Sequence, residues 1–261
     1  MPATCEPVGV QPGTVEPVRP GELTLPAGPT AEQVHSSLEL ISELYNYTHW
    51  LFNSVRPFIQ GRVCEVGCGI GTVTQFLLNH ERVVGIEPFA ESFLRARERF
   101  CYHLNVQIVN CMLEDCPNQA VPAGFFDSVV CLNVLEHIED DVDSLSRMAR
   151  LCRPGGRVII LVPAHTCIFG ELDRAYGHFR RYNRGALRQA FAAAGLQVSY
   201  GTYLNVLGFF GWWWQSCWLG RRQITARASR FFNRLVPFMD AFERVVRLPF
   251  GQSLIMVGTP V

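Results

Sequence analysis

Between residues 62 and 162, short runs of β-branched and aliphatic residues alternate with stretches whose apolar positions recur at helical spacing. The runs 63–66, 83–86, 106–109, 128–132 and 158–162 read as strands, and the stretches 73–79, 90–101 and 142–152 between them as helices. Arg153-Pro154-Gly155-Gly156 closes the last of these as a helix stop and tight turn. A helix over 184–194, a strand over 196–200 and a last strand over 253–259 continue the pattern. Alternation of this kind predicts an α/β fold: a doubly wound, mainly parallel seven-stranded sheet with helices on both faces.

The flanks differ in character. Residues 1–30 carry Pro2, Pro7, Pro12, Pro17, Pro20, Pro26 and Pro29 with few large apolar side chains, so they cannot offset the entropy of ordering and are expected to form a disordered tail. Over 31–60, Val34, Leu38, Ile41, Leu44, Leu51 and Val55 recur near helical spacing and Pro57 ends the run, predicting one or two cover helices. The core is expected over 61–201, an aromatic insertion over 202–251 and the last strand over 252–261. The insertion holds Phe209, Phe210, Trp212, Trp213, Trp214 and Trp218, but Asn205, Gly208, Gly211, Gln215 and Ser216 interrupt it too often for a membrane span.

With 261 residues, 48% hydrophobic and 18% charged, the chain suffices for one full-sized core with an elaborated lid. Its 23 basic residues balance 23 acidic ones, which argues against nucleic acid as a partner. Every basic residue is Arg; with no Lys, a Walker A lysine, a Schiff base and a lysine general base are all excluded. The first ten residues show no signal-peptide pattern, so a cytoplasmic location and reduced thiols are expected for the ten cysteines. They include no Cys-x-x-Cys pair, and no metal site is expected.

The segment Val63-Cys64-Glu65-Val66-Gly67-Cys68-Gly69-Ile70-Gly71 leads from the first strand toward a helix, placing three glycines where open α/β sheets bind ligands. Thr72 stands where a dinucleotide fingerprint needs its third glycine, so nicotinamide and flavin are not indicated. Sixteen residues after Gly71, Glu87 ends the next strand, and a carboxylate can accept hydrogen bonds from both hydroxyls of a ribose.

With E-V-G-C-G-I-G, then G-I-E-P, F-D-S-V-V-C-L-N-V-L-E-H-I and L-C-R-P-G-G-R-V-I-I-L-V-P-A, the chain resembles the class I S-adenosylmethionine-dependent methyltransferases over about residues 45–200. The resemblance implies S-adenosylmethionine as cofactor and S-adenosylhomocysteine as product. It also implies that Gly67, Cys68, Gly69 and Gly71 line the cofactor, that Glu65 lies beneath the loop, and that Glu87, with Pro88 beside it, holds the ribose. Asn133, Val134 and His137 would flank the sulfonium, and Tyr47 and Trp50 would cover the cofactor. Where many relatives carry an Asp facing adenine, this chain reads Asn110-Cys111-Met112-Leu113-Glu114-Asp115; Cys111 or Met112 would form the adenine wall, with Glu114 the acidic alternative.

Methyl transfer needs orientation, desolvation and, for some acceptors, removal of a proton. The candidate bases are His137, His165 and His178, with Tyr182 beside the last; for His137 the reading as a structural or cofactor-side residue is favoured. The stretch E-L-D-R-A-Y-G-H-F-R-R-Y-N resembles the G-H-x-R-R-Y segment of a bacterial methyltransferase subgroup. It permits two readings: Arg180 or Arg181 clamping an acidic group of the substrate, or an arginine network on Asp173 that fastens the loop. Phe169 and Trp213 are candidate apolar walls for the acceptor. The expected function is methylation of a small, largely apolar metabolite on oxygen, nitrogen or carbon. The alternatives are a cofactor-binding module without catalysis, and a peripheral membrane enzyme whose arginine-rich tail meets a lipid or prenyl carrier.

Overall fold

The computed structural model describes residues 44–246 and 248–261. The expected tail over 1–30 and the first part of the expected cover lie outside the described residues. The chain enters through helix α1 (Tyr45–Val55), which buries Trp50, Leu51, Phe52 and Val55. Strands β1 (Arg62–Val66) and β2 (Arg82–Ile86), helix α2 (Ala90–Arg99) and strands β3 (Val106–Val109) and β4 (Phe126–Leu132) follow. Next come helix α3 (Asp141–Leu151), strand β5 (Cys152–Pro163), and helices α4 (Glu171–Ala175) and α5 (Arg184–Ala193). Strand β6 (Leu196–Leu204), helix α6 (Val206–Trp212), a π-helical turn (Trp213–Trp218), helix α7 (Ala226–Val245) and strand β7 (Ser253–Pro260) complete the chain.

The seven strands form one sheet in the order β3-β2-β1-β4-β5-β7-β6. The first five run parallel; β7 inserts antiparallel between β5 and β6. Strand order reverses between β1 and β4, so the crevice at their carboxyl ends is the switch point where such sheets take ligands. Strand β4 buries every residue but Leu132, and β5 every residue from Val158 to Pro163, because helices cover both faces. One face carries Leu145, Met148, Leu187 and Phe191 from α3 and α5. The other carries Trp50, Phe52 and Val55 from α1 with Val236 and Met239 from α7. Asn233 of α7 clips these two helices together, its Oδ1 accepting the Tyr47 backbone N–H and its carbonyl accepting Asn46 Nδ2.

Three local expectations fail for tertiary reasons. The helix over 73–79 is only a 3-10 turn (Thr74–Phe76), and the Thr74 hydroxyl donates to the buried Glu65 at 2.6 Å. Helix α3 stops at Leu151, as the segment 153–156 predicts, but those residues bulge within the span of β5 instead of forming a free turn: Phe126 pairs with Cys152 while Ser128 pairs with Arg157. Asp127, opposite the bulge, holds both Arg62 and Arg153. Third, the thiols are not all reduced, since Cys111 and Cys116 form a disulfide. In the insertion, β6 runs on through Thr202 to Leu204, so its helical part starts at Val206. Among the described residues, no helix is long and apolar enough to cross a membrane.

Candidate active site

The glycine loop leaves β1 and is tied to the neighbouring strand: the backbone N–H groups of Gly67 and Cys68 both donate to the Ile86 carbonyl, at 2.9 and 3.0 Å. Gly67 has φ 74°, where side chains are disfavoured, and a Cβ there would overlap the Val134 side chain. Glycine therefore lets the loop lie against the segment leaving β4. Gly69 donates its N–H to Glu87 Oε2 at 2.8 Å, and the Phe89 N–H donates to Oε1 at 3.0 Å. Each carboxylate oxygen keeps a further lone pair, so Glu87 has acceptor capacity for the two hydroxyls of a ribose. Burial lifts the Glu87 pKa to about 7 against the pull of those two N–H bonds. Burial likewise lifts Glu65, beneath the loop, to about 8 despite the Thr74 bond. Asn110 at the end of β3 donates to the carbonyls of Glu87 and Pro88, fixing that turn.

Beyond β4, Asn133 takes a left-handed conformation with φ 54°, and a short 3-10 turn (Leu135–His137) carries Glu136 and His137 inward. Glu136 is 1% exposed and its Oε2 has no hydrogen-bond partner. Burial raises its pKa to about 7, with His178 and Arg181 pulling the other way. The same burial, reinforced by His178, pushes His137 down to about 3 and keeps it neutral. The His137 and His178 rings meet edge-on with centroids 4.8 Å apart.

Asp173 is the hub of this side. Its Oδ1 accepts Arg181 Nε at 2.6 Å and bonds His178 Nδ1 at 2.8 Å; its Oδ2 accepts the Gly170 N–H at 3.0 Å and Trp212 Nε1 at 3.0 Å. Burial opposes the Asp173 charge, but His178 and Arg181 hold its carboxyl below the ordinary value. Since an ionised carboxylate only accepts, the His178 ring donates through Nδ1, and in the neutral form of the ring Nε2 is the acceptor. Arg181 spends Nη1 on the Ala164 carbonyl, whereas its Nη2 has no partner. Its guanidinium acts on Glu136, His165 and Tyr47, which places the four side chains in one neighbourhood. His165, with φ 63°, stacks on Tyr203 at 4.7 Å, and its Nε2 is also buried without a partner.

Glu136, His137 and His178 also bring metal-ligating atoms within 4.8 Å of one another, the one such group among the described residues. Two histidines and a carboxylate are a donor set suited to Zn²⁺ or Fe²⁺.

A methyltransferase domain model matches residues 40–200, more than half of the chain. The chain belongs to the methyltransferase domain family. Its fold is shared with an S-adenosylmethionine-dependent methyltransferase of Thermotoga maritima, at 15% identity and a TM-score of 0.60 over 89% of this chain and all of that one. It is shared too with geranyl diphosphate C-methyltransferase of Streptomyces coelicolor, solved with Mg²⁺, geranyl diphosphate and S-adenosyl-L-homocysteine, at 13% identity and 0.57 over 81% and 77%. Among curated proteins, the ubiquinone biosynthesis O-methyltransferase of Rhodopseudomonas palustris is 32% identical over 38% of each chain. A tRNA U34 carboxymethyltransferase of Campylobacter fetus is 31% identical over 42% of this chain and 40% of its own. The chain thus spans about two fifths of the length of the curated relatives it matches.

Of the residues singled out from the sequence, Gly67, Cys68, Gly69, Gly71, Glu65, Glu87, Pro88, Asn133 and Val134 gather at the carboxyl ends of β1, β2 and β4. His137 and His178 meet ring to ring, and His165 and Tyr47 lie within reach of the Arg181 charge. Cys111 is tied into its disulfide with Cys116, Met112 is half-buried and Glu114 is exposed. Trp50 packs in the core of the α1 face, 2% exposed. The Tyr182 hydroxyl donates to Asp141 Oδ2 at 2.8 Å, and Arg180 pairs with the same carboxylate at 2.9 Å, so these two brace α3 rather than joining Asp173. Phe169 lies under the Arg174 guanidinium. Trp213 points outward; its neighbour Trp212 is the indole that meets Asp173, with Arg181 over its ring at 4.7 Å. Sequence reading missed Glu136, Trp212, Tyr203 and Asn205, the last of which lies beside Tyr47. Glu136 alone left a signal, as the acid inside L-E-H-I.

Proposed function

We propose that this protein transfers the methyl group of S-adenosylmethionine to a small, largely apolar acceptor bearing one polar, proton-carrying head. The donor set fits the cofactor: a buried carboxylate with spare acceptor capacity beside N–H groups of a glycine loop, above a second buried acid. When bound, S-adenosylmethionine supplies an electrophilic methyl group on a sulfonium. Glu87 would accept the ribose hydroxyls, Gly67 and Gly69 would let the backbone approach, and Glu65 would lie near the cationic end.

One observation carries the acceptor side: Glu136 Oε2, Arg181 Nη2 and His165 Nε2 are buried without hydrogen-bond partners in a neighbourhood linked by the Arg181 charge. Leaving such groups unpaired is costly, so a bound polar head that pairs them is favoured. Beside them, Asp173 holds His178 in the tautomer whose Nε2 can take a proton, the orienting role a carboxylate plays for a catalytic histidine. Aromatic rings from Tyr47, Tyr203, Phe209 and Trp212 surround the polar atoms and exclude water. The reading extends to a metabolite of specialised biosynthesis, methylated on oxygen, nitrogen or carbon.

The test is incubation of the purified protein with methyl-labelled cofactor and panels of phenolic, amine and prenylated acceptors. Labelled product that disappears with Glu87→Ala and falls by about 10²–10⁴ with His178→Ala supports the assignment. Full turnover in both variants overturns it.

A further inference from the structure

Helix α7 is apolar on two faces, and among the described residues only one is covered. At about 100° per residue, Phe231, Phe238, Phe242 and Val245 fall within about 60° of one another on a single stripe. Phe231 is 63% exposed and Phe238 75%. The buried Val236 and Met239 lie roughly 90–150° round the helix, against α1. Arg227, Arg230 and Arg234, all exposed, run along one flank of the open stripe. The acids of the helix turn away: Asp240 lies on the far side, and Glu243 accepts the backbone N–H groups of Asn205 and Val206.

The preceding turn continues this surface. Trp213, Trp214 and Trp218 are exposed, and an open groove lined by Trp213, Trp214, Leu219, Arg221 and Ala228 connects them to the start of α7. A second apolar groove, lined by Leu207, Leu235, Phe238 and Phe242, joins α6 to the exposed stripe. One continuous patch therefore combines aromatic rings with a flanking row of arginines.

We propose that this patch docks the methyltransferase on a bilayer rich in anionic lipid. Tryptophan favours the headgroup level, phenylalanine the acyl boundary, and arginine the lipid phosphates, which is the composition of an interfacial helix lying in the membrane plane. A soluble protein partner would not call for arginines along one flank only. The patch backs onto the acceptor side through adjacent residues, Trp212 turned in to Asp173 and Trp213 turned out. Resting on the function proposed above, the acceptor class is then an amphiphile drawn from the membrane, its head reaching Arg181 and His165.

Flotation of the full chain with phosphatidylcholine vesicles, with and without phosphatidylglycerol, tests the docking. Binding is expected only with phosphatidylglycerol. It should fall at least about tenfold when salt rises from about 0.1 to about 1 M, where the screening length drops from about 10 to about 3 Å. Arg227→Glu with Arg230→Glu, and separately Phe238→Glu, should abolish flotation while leaving the calorimetric affinity for S-adenosylhomocysteine unchanged, which shows that the variants are folded. Absence of flotation overturns the inference. So does a concentration-dependent dimer, lost in Phe238→Glu, without vesicle binding. Flotation without S-adenosylhomocysteine binding supports docking and removes the methyl-transfer reading instead.

Discussion

Arg181 and Asp173 are joined Nε to Oδ1 at 2.6 Å, with both side chains wholly removed from solvent. A buried pair of this kind adds little to stability over an apolar pair of the same shape, but removing one partner strands the other charge. Asp173→Ala also deprives His178, Trp212 and the Gly170 N–H of their acceptor. The expected loss is about 3–5 kcal/mol, read as a shift in the urea midpoint. Asp173→Asn keeps the volume and should lose less stability, yet reduce turnover by more than that loss explains, because its amide no longer fixes the His178 tautomer.

Cofactor affinity should depend on pH through Glu87. Its pKa in the folded protein is about 7, above the ordinary carboxylate value, because burial disfavours the charge. The folded state thus holds a proton that the unfolded chain has lost, and the contribution of Glu87 to stability falls as pH rises from the ordinary value to about 7. Ribose hydroxyls donate to the ionised form, so binding runs the opposite way. Affinity for S-adenosylhomocysteine should increase by up to about tenfold per pH unit below about 7 and level off above it. Calorimetry across pH checks this, and Glu87→Gln should both weaken and flatten the profile.

Gly67→Ala should damage the same site by sterics alone. The residue sits at φ 74°, and its new Cβ would overlap Val134, so the loop must move away from the segment leaving β4. A combined Gly67→Ala, Val134→Ala variant removes the overlap but not the backbone strain. It should recover part of the S-adenosylhomocysteine affinity, and equal affinities for the single and double variants would show that the φ cost dominates.

These particulars separate what the sequence carries from what only the fold supplies. The strands are legible because a sheet covered on both faces demands unbroken apolar runs such as 128–132 and 158–162, and the glycine loop with Glu87 is legible because its parts are close along the chain. The bulge at 153–156 is not, since Pro-Gly-Gly reads as a turn and only pairing with Ser128 holds it in line with β5. The Cys111–Cys116 disulfide follows no metal or redox spacing and depends on a backbone path that brings the Cα atoms to 5.3 Å. The acceptor side is the least legible. Glu136, Asp173 and Trp212 are separated by 37 and 39 residues in sequence, and their meeting is created by the lid folding back over β4 and β5.

The Glu136, His137 and His178 group yields a metal prediction. In the function proposed above His178 takes a proton on Nε2, so a cation seated on the three would block it. Chelators should leave turnover unchanged, whereas Zn²⁺ should inhibit, and His137→Asn should weaken that inhibition by removing one donor. Loss of activity in EDTA, restored by one divalent metal, would instead make the trio a catalytic metal centre and displace His178 as the base.

Two adjacent indoles should separate stability from surface. Trp212 donates Nε1 to Asp173 Oδ2 at 3.0 Å and carries the Arg181 guanidinium over its ring at 4.7 Å. Trp212→Phe removes a bond to a buried charge while keeping an aromatic ring, and the expected cost is about 1.5–3 kcal/mol. Trp213 is 45% exposed and lines the outer groove, so Trp213→Ala should stay within about 0.5 kcal/mol of the parent. Urea titrations of both variants decide it. A larger loss for Trp213→Ala than for Trp212→Phe would mean that the π-helical turn is rotated by one residue, carrying Trp213 rather than Trp212 into contact with Asp173.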